Sequence, residues 1–158
     1  MASRYTSRLI SVKFQDATSP TPLEMVVGPG PGDFSLGDTN ADNAERIRVL
    51  DRGQFDGYVL GDDLEQEVSI TIGVKNETLT SAGADRIRDF IMKTGNFASA
   101  TSVDPTVWAF KCIVTLDDGT TSTTMTLPLV QGSVNFTEAK EGATMVFSGT
   151  NNGTIVVA

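Results

Sequence analysis

The sequence predicts a mainly β protein, an antiparallel β-sandwich or barrel with one packed α-helix at about residues 80–94. It also predicts a long extended loop or hairpin arm at about residues 28–48. Three observations favour this class: several short segments alternate apolar and polar residues, turn signals rich in Gly, Asp and Asn separate them, and only one segment has helical periodicity. With 158 residues, the chain is long enough for one domain with an apolar core, and we interpret 1–158 as that domain.

The first third of the chain combines a strand with a polar arm. Ile10, Val12 and Phe14 recur every second residue and predict a half-buried first strand. From residue 28 to residue 43 the chain is poor in large apolar residues and rich in Gly, Pro, Asp and Asn. Such a segment cannot bury enough surface to offset the entropy of ordering itself, so we expect a long loop or arm that serves a partner.

The next segments are predicted as strands. The stretch "RIRVLDRGQFDGYVLG", residues 46–61, has the pattern of short strand pieces broken by glycine. "EVSITIGV", residues 67–74, alternates so regularly that one buried face is expected. The opposite face carries Ser69, Thr71 and Gly73, and these small residues suit either solvent or the lining of a wet channel.

One segment, "TSAGADRIRDFIMKTG" at residues 80–95, predicts a helix. Thr80 or Ser81 can cap its start, and Gly95 can end it. Ile87, Phe90, Ile91 and Thr94 form its inward stripe, while Asp89 and Lys93 have the spacing of an ion pair on the exposed side.

The last third predicts four strands and the turns between them. "TVWAFKCIVTL", residues 106–116, is apolar on both sides and is expected to be central. A turn is predicted at "DDGT", residues 117–120, and Pro128 in the following strand indicates an edge position or a bulge, because proline has no N–H to donate. Two final strands flank "TNNG", residues 150–153.

Composition excludes several kinds of chemistry. The chain has no histidine, so it cannot hold a Ser-His-Asp or Cys-His catalytic group or a metal site that contains histidine. The net charge of −8 disfavours a stable complex with nucleic acid, since such binding neutralises phosphates with Lys and Arg. The single cysteine, Cys112, lies in an apolar run and is expected to be a small core residue. No segment has the length of a membrane span, and no cofactor or metal is expected.

The glycine-rich stretch "VVGPGPGDFSLGDTN", residues 26–40, resembles a phosphate loop only superficially. Pro29 and Pro31 remove backbone donors, and Asp33 would repel a phosphate. An EF-hand loop that starts at Asp38 is also excluded, because the chain has Asn43 and Val49 where the loop needs Gly and Glu. The stretch is therefore better interpreted as an arm that reaches another chain.

Charges are arranged in blocks along the sequence. Residues 1–13 are basic and contain no acid, residues 14–45 contain six acids and no base, and residues 53–67 contain five acids and no base. Segregated charge lets one copy of a chain meet another through opposite patches, which sets register and orientation.

The order of elements resembles that of the tail tube, or major tail, proteins of long-tailed bacteriophages. The similarity covers about residues 81–155: one helix, a strand, a D-G hairpin, a strand ending near the Gly-x-Val of "LPLVQGSV", the corner "TEAKEGATMVF", and a last strand after an Asn-Gly turn. Related tube-like or tail-completion proteins remain an alternative within the same resemblance.

The resemblance implies a non-enzymatic virion protein whose hexameric rings stack into a hollow tube through which DNA passes. It implies location in the virion tail, after a period in the host cytoplasm. The expected partners are further copies of the chain, the tape measure protein, the tail terminator and the distal tail protein, while DNA passes without specific binding and no membrane is involved.

The same resemblance assigns contact and lumen residues. An N-terminal arm at 1–8 and an inter-ring loop at 28–48 would make contacts between subunits and rings, with these candidates: Arg4, Arg8, Pro29, Pro31, Phe34, Leu36, Arg46 and Arg48. An acidic lumen would repel DNA, and its candidates are Asp56, Asp62, Asp63, Glu65 and Glu67.

Two other classes remain open. One is a capsid-decoration protein or another β-sandwich binding module, which would usually display an aromatic platform, whereas Trp108 and Phe110 are expected to be buried. The other is an enzyme restricted to carboxylate chemistry.

Overall fold

Ten strands and one short helix make up the described part of a computed structural model, which covers residues 10–27, 34–37, 44–63, 65–73, 87–117, 119–139 and 142–158. The strands are β1 (Ile10–Gln15), β2 (Glu24–Val27), β3 (Phe34–Leu36), β4 (Ala44–Asp51), β5 (Gln54–Asp63), β6 (Gln66–Gly73), β7 (Phe110–Asp117), β8 (Ser122–Ala139), β9 (Gly142–Asn151) and β10 (Val156–Val157). The helix, α1, spans Ile87–Met92. This confirms a mainly β fold with one helix.

The main sheet has eight strands, all paired antiparallel, in the order β2-β1-β7-β8-β9-β6-β3, with β10 added beside β8. Strand β8 belongs to both halves of this sheet. Residues 122–130 of β8 pair with β7, and residues 130–139 pair with β9. The sheet therefore divides into a five-stranded half, β2-β1-β7-β8-β10, and a four-stranded half, β8-β9-β6-β3.

A bulge marks the point where β8 changes its neighbour. Phe110 pairs with Val130 and Cys112 with Leu127, so two residues of β8, Pro128 and Leu129, stand opposite one residue of β7. A proline is tolerated there because a bulged residue is left unpaired in the ladder. Of the two alternatives predicted at Pro128, an edge position or a bulge, the structure shows the bulge.

The two halves of the sheet fold over one core. Phe14 of β1 lies 5.1 Å, between ring centroids, from Phe147 of β9, although these strands are not neighbours in the sheet. Phe110 of β7 packs between them, 4.8 Å from Phe14 and 6.0 Å from Phe147. Each of these buried rings stabilises the fold by about 2–3 kcal/mol through apolar burial, and the closure confirms a sandwich-like or barrel-like fold.

Helix α1 covers one opening of the core. Ile87 and Phe90 are buried, and Phe90 lies 5.1 Å from Phe110 and 5.8 Å from Phe14 between ring centroids. Ile91 packs against the core from the helix edge, whereas Thr94 is exposed. The predicted helix was longer, and its first residues, 80–86, lie outside the described residues.

The helix ends at Met92, through a left-handed residue that the sequence did not predict. Lys93 has φ of 53° and donates its N–H to the carbonyl of Phe90, while Thr94 donates to the carbonyl of Asp89. These two bonds form a Schellman motif, which usually has glycine in the left-handed position. Gly95, the predicted end, starts the following 3-10 turn instead.

Strand β7 begins at Phe110, four residues later than the alternation predicts. The Ser102 hydroxyl donates to the carbonyl of Val107 at 2.6 Å and accepts the N–H of Ala109 at 2.8 Å. These contacts use backbone groups that a neighbouring strand would otherwise pair with. Trp108 is therefore part of a turn beside α1, where the Lys93 ammonium lies 5.1 Å from its ring centroid.

Strands β4 and β5 form a separate two-stranded sheet, which we call the hairpin. Its turn is Arg52-Gly53, with φ of 48° and 84°, and positive φ at both central residues is the mark of the type I′ turn that suits two-residue hairpins. The predicted break therefore falls at Gly53, in the turn, whereas Gly57 does not interrupt β5. Of the predicted arm 28–48, the described residues lie in β3 and at its end, and in β4; residues 28–33 and 38–43 lie outside the described residues.

Candidate functional site

The described residues hold no group of three or more His, Cys, Asp or Glu that could bind a metal. No described helix is long and apolar enough to cross a membrane. Burial raises the pKa of the Cys112 thiol to about 12, so this side chain stays protonated and unreactive at neutral pH. The features that point to function are therefore surfaces: the hairpin and the two outward faces of the main sheet.

The hairpin exposes large apolar side chains on both of its faces. Ile47 and Val59 stand directly opposite each other and are 47% and 55% exposed, with Val49 following on the same face. Leu50 and Phe55 form a second opposite pair on the other face, and both are about half exposed. No third strand among the described residues pairs with the hairpin, and about half of the Ile47, Leu50, Phe55 and Val59 side chains is open to solvent.

A cation lies on the second face of the hairpin. The Arg48 guanidinium is 5.5 Å from the ring centroid of Phe55. A bulge at residue 56 allows this contact, because the extra residue brings Phe55 opposite Leu50. Phe55 then lies on the face of the hairpin that carries Leu50 and Arg48. Exposed pairs of this kind contribute about 0.5–1 kcal/mol, and they leave the guanidinium free to meet an acidic group on another chain.

The outward face of the four-stranded half, which we call the hydroxyl face, consists almost entirely of small polar residues. Its described members are Ser35, Glu67, Ser69, Thr71, Gln131, Ser133, Asn135, Thr137, Thr144, Val146, Ser148 and Thr150. One row crosses all four strands as serine: Ser35 pairs with Ser69, Ser69 with Ser148, and Ser148 with Ser133. Among these members Glu67 alone is charged, and none is cationic.

The outward face of the five-stranded half is different. One row of paired residues crosses its five strands, and we call it the valine row: Val26, Lys13, Ile113, Thr126 and Val156. Val26 and Val156, at its two ends, are 61% and 57% exposed. Lys111 lies on the same face, and the Lys13 ammonium forms a 3.0 Å ion pair with Glu24. Asp117 also lies on this face, so two cations and two acids balance there, whereas Glu67 is the one charged residue among the described members of the hydroxyl face.

The contact residues expected from the sequence fall on different elements. Arg4, Arg8, Pro29 and Pro31 lie outside the described residues. Phe34 and Leu36 are in edge strand β3, where their side chains pack against the core of their own chain.

The remaining two contact candidates are in the hairpin. Arg46 belongs to strand β4, and the exposed Arg48 lies beside it on the same strand. The structure therefore brings only these two of the eight candidates together on one exposed element of the described chain.

The five acidic lumen candidates are divided between two elements. Asp56, Asp62 and Asp63 belong to strand β5 of the hairpin. Glu65 and Glu67 are exposed at the start of β6, and Glu67 faces outward with the serine row. The five acids therefore do not form a single acidic patch on one sheet.

Sequence reasoning missed the apolar faces of the hairpin and the valine row. The hairpin had a detectable signal, since Arg52-Gly53 joins two segments that each carry β-branched and aromatic residues. The valine row had none, because its members come from five strands whose register depends on contacts between distant segments.

Neither a family model nor a curated protein matches the chain. Among solved structures, the chain is similar to the PVC sheath/tube terminator of an extracellular contractile injection system, determined by cryo-EM in the extended state. The TM-score is 0.58 at 13% sequence identity, and the match covers 94% of this chain and 92% of that chain. At this identity the likeness shows a shared fold, which extends over nearly the whole chain.

Proposed function

We propose that this chain is a non-enzymatic tail protein that assembles into hexameric rings, which stack into a hollow tube for DNA. The observation that carries the proposal is the hairpin, which exposes apolar side chains on both faces of a two-stranded sheet. The fold shared with a sheath/tube terminator supports the same class of assembly.

The hairpin has the properties of a segment that is completed by another chain. A two-stranded hairpin is only marginally stable in water by itself, and large apolar patches on soluble proteins mark interaction sites. Ile47, Leu50, Phe55 and Val59 are all about half exposed. Packing on a neighbouring copy would remove this apolar surface from water and at the same time stabilise the hairpin.

The hydroxyl face has the properties expected of a wall beside moving DNA. Lys and Arg would bind phosphates, and large apolar or aromatic side chains would bind unstacked bases. The described members of this face contain neither cations nor aromatic rings, and they include one acid, Glu67. We therefore assign the hydroxyl face, with Glu65 and Glu67 at its border, to the lumen.

The proposed partners follow from a tube within a tail. Further copies of the chain form the rings, and tape measure, terminator and distal tail proteins would meet the tube in its lumen and at its ends. The chain would collect in the host cytoplasm and then become part of the virion tail.

A second function, tail terminator, is favoured by the comparison itself, because the similar structure is a sheath/tube terminator. A terminator would form one closed ring that caps a tube, whereas a tube protein forms rings that stack without limit. The two functions differ in whether purified rings continue to grow.

Excision of the hairpin tests the proposed self-assembly. Arg46 pairs with Leu60, so replacing residues 47–59 with Asn-Gly joins the two strands at a natural pair through a favoured turn. The main sheet keeps its strands, including β3, so we expect a native circular dichroism spectrum and a monomer in sedimentation velocity. The matched control inserts Asn-Gly after Gly119, in the exposed loop between β7 and β8, and should assemble normally. Normal rings or tubes from the excised variant would contradict the role of the hairpin.

A further inference from the structure

We propose that Asn152 is a site of spontaneous deamidation, at which the chain converts Asn152-Gly153 into an aspartyl-glycine or an isoaspartyl-glycine linkage. The inference concerns the connection between β9 and β10 and does not depend on the proposed assembly. The reacting groups are the side-chain amide of Asn152, the backbone nitrogen of Gly153 and water.

The reaction is an intramolecular ring closure followed by hydrolysis. The Gly153 nitrogen loses its proton and bonds to Cγ of Asn152, while the Cγ–Nδ2 bond breaks and ammonia leaves, so that a succinimide ring forms. Water then opens the ring at one of its two carbonyl groups. Opening at Cγ gives aspartate with a normal main chain, and opening at the main-chain carbonyl gives isoaspartate, in which the main chain runs through Cβ and Cγ.

The sequence around residue 152 favours this reaction. Asparagine is a thermolabile residue, and a following glycine has no Cβ to crowd the attacking nitrogen or to restrict its backbone angles. Asn152-Gly153 is the only Asn-Gly pair in the sequence. The other asparagines precede larger residues, so ring closure is more hindered at each of them.

Two neighbouring asparagines are in opposite situations. Asn151 is fully buried, and its amide donates to Oε1 of Gln66 at 2.9 Å and to the carbonyl of Gly153 at 2.7 Å. Asn152 is exposed, and its side chain makes no hydrogen bond to a described residue. Of the two side chains, the fold therefore leaves free the one that precedes glycine.

The attacking nitrogen is also weakly held. The Gly153 N–H donates to Oδ1 of Asn151 at 3.4 Å, which is long for an N–H to oxygen hydrogen bond. Residues 152–155 belong to neither a helix nor a strand, so no ladder of main-chain bonds fixes this N–H. Ring closure at Gly153 thus requires the loss of one weak hydrogen bond.

Packing restricts position 153 to glycine. A Cβ on Gly153 would lie 2.4 Å from Cγ of Pro128 and 3.4 Å from Cβ of Leu129, the two bulged residues of β8. The first contact is too short for any side chain, and the ring of proline cannot turn away as a flexible chain end would. The bulge in β8 therefore retains the glycine that makes Asn152 reactive.

Isoaspartate at residue 152 would change the path of the chain into β10. The connection is short, because the Asn152 N–H donates to the Leu129 carbonyl at 3.0 Å and Val156 already pairs with Thr126. Isoaspartate adds one carbon to the main chain between these two anchors, and it also turns a side-chain carboxylate out of the former main chain. We expect this change to loosen the register of β10 on β8.

Loss of β10 would open an edge of the main sheet. Strand β10 has only two residues, and Thr124 and Ala158 exchange hydrogen bonds beyond it at 2.8 Å and 2.9 Å. If these bonds open, residues 124–126 of β8 present unpaired N–H and C=O groups. An open edge of this kind is a site at which another chain can pair.

Ageing of the purified wild type tests the site. Protein kept folded in mildly alkaline buffer is digested at intervals, and mass spectrometry with electron-transfer fragmentation identifies aspartate and isoaspartate at each position. We expect conversion at Asn152 with isoaspartate among the products. Asn135, which is exposed on β8 but precedes Phe136, and buried Asn151 are internal controls and should remain intact over the same period.

A variant isolates the reacting side chain. Asn152→Gln keeps a side-chain amide but would have to close a larger, less favoured ring, so it should remain unmodified at residue 152. Asn152→Asp adds the negative charge of the product without the extra main-chain carbon, and it is the matched control for the effect of isoaspartate on β10.

Hydrogen exchange measures that effect. In the isoaspartate form, the N–H groups of Thr124 and Ala158 should exchange at least about tenfold faster than in fresh protein, because local opening of β10 exposes both to solvent. Asn152→Asp should exchange like fresh protein.

Two results would overturn the assignment of the site: an Asn152 that remains intact while the free peptide TNNGT is converted, or an Asn135 that is converted as fast as Asn152. Unchanged exchange of Thr124 in the isoaspartate form would overturn the release of β10.

Discussion

At the scale of single residues, the Asp16 side chain joins two distant segments through four hydrogen bonds. It is almost fully buried at the end of β1 and accepts hydrogen bonds from the N–H groups of Leu23 at 2.7 Å, Thr101 at 2.9 Å and Thr18 at 3.1 Å, and from the Thr18 hydroxyl. It thereby holds the β1–β2 connection against the segment that precedes β7. Burial alone would raise the pKa of Asp16, but these hydrogen bonds outweigh burial and lower the pKa below its ordinary value.

Asp16→Asn should destabilise the fold by about 2 kcal/mol at neutral pH, because the amide places an N–H₂ group where the carboxylate accepts N–H donors. The lowered pKa means that the carboxylate stabilises the fold above the unfolded pKa of about 4, and that this contribution is lost as pH falls through the folded pKa. Urea denaturation between pH 7 and pH 2.5 should therefore show that the free energy of unfolding falls less with decreasing pH in the variant than in the wild type.

Glu138→Gln, which removes an exposed carboxylate, is the control for this prediction and should behave like the wild type. If the free energy of unfolding falls equally with decreasing pH in Asp16→Asn and in the wild type, the hydrogen bonds of Asp16 do not contribute to stability.

The importance of Asp16 could not be predicted from the sequence. It lies in "FQDATSP", where a polar residue after a strand is ordinary. Its partner Thr101 is 85 positions away, and only the pairing of β1 with β7 brings the two segments together. Cys112 is the opposite case, since an apolar run was enough to predict its burial correctly.

At the scale of elements, a glycine pair allows β8 and β9 to approach the core closely. Gly132 and Gly149 stand opposite each other, and the ring of Phe147 lies over both. A Cβ on Gly132 would be 2.5 Å from the Ser148 carbonyl oxygen and 2.6 Å from Cζ of Phe147. These contacts are too short for a side chain of any size, so the glycine is required by space and not by its φ angle.

Gly132→Ala should therefore destabilise the fold by about 3 kcal/mol, as expected for overpacking against backbone that cannot move freely. The matched control is Gly57→Ala in the hairpin, where a Cβ would meet nothing within 4 Å. Thermal denaturation of both variants measures the difference. A Gly132→Ala protein as stable as the Gly57→Ala protein would contradict this packing.

Elements with regular local patterns were predictable, and those that depend on distant contacts were not. The alternation in β6 and the Pro128 bulge follow from local chemistry, because strand period and the missing N–H of proline act within a few residues. The hairpin was underestimated because Arg52 is not a usual residue for positive φ. The start of β7 was placed too early because the Ser102 side chain takes over the backbone groups of residues 107–109.

At the scale of the whole molecule, fold class was predictable and sheet order was not. Counting strands and one helix was sufficient for a β-sandwich or barrel. The order β2-β1-β7-β8-β9-β6-β3 joins strands that are far apart in sequence, and hydrophobic period carries no information about which strands become neighbours. The hydroxyl face and the valine row exist only because of that order.

The lumen assignment predicts a difference in reagent access within assembled tubes. Ser148→Cys places a thiol in the serine row, and Ser99→Cys places one at another exposed position after α1. Buried Cys112 does not compete for reagent, because its pKa is raised to about 12. In assembled tubes, a maleimide attached to a polymer that is too wide to enter the lumen should label the Ser99→Cys thiol and not the Ser148→Cys thiol. A small maleimide should label both.

Disassembled protein is the control for access, and both thiols should then react with both reagents. Labelling of Ser148→Cys by the wide reagent in intact tubes would place the hydroxyl face outside the lumen.

Self-assembly itself is tested most directly by negative-stain electron microscopy of the purified wild-type chain over a range of concentrations. We expect six-fold rings with an open centre that stack into tubes of constant width, whose length increases with concentration. Single rings that never stack would favour the terminator function. Isolated monomers at every concentration would contradict the proposal that this chain builds a tube.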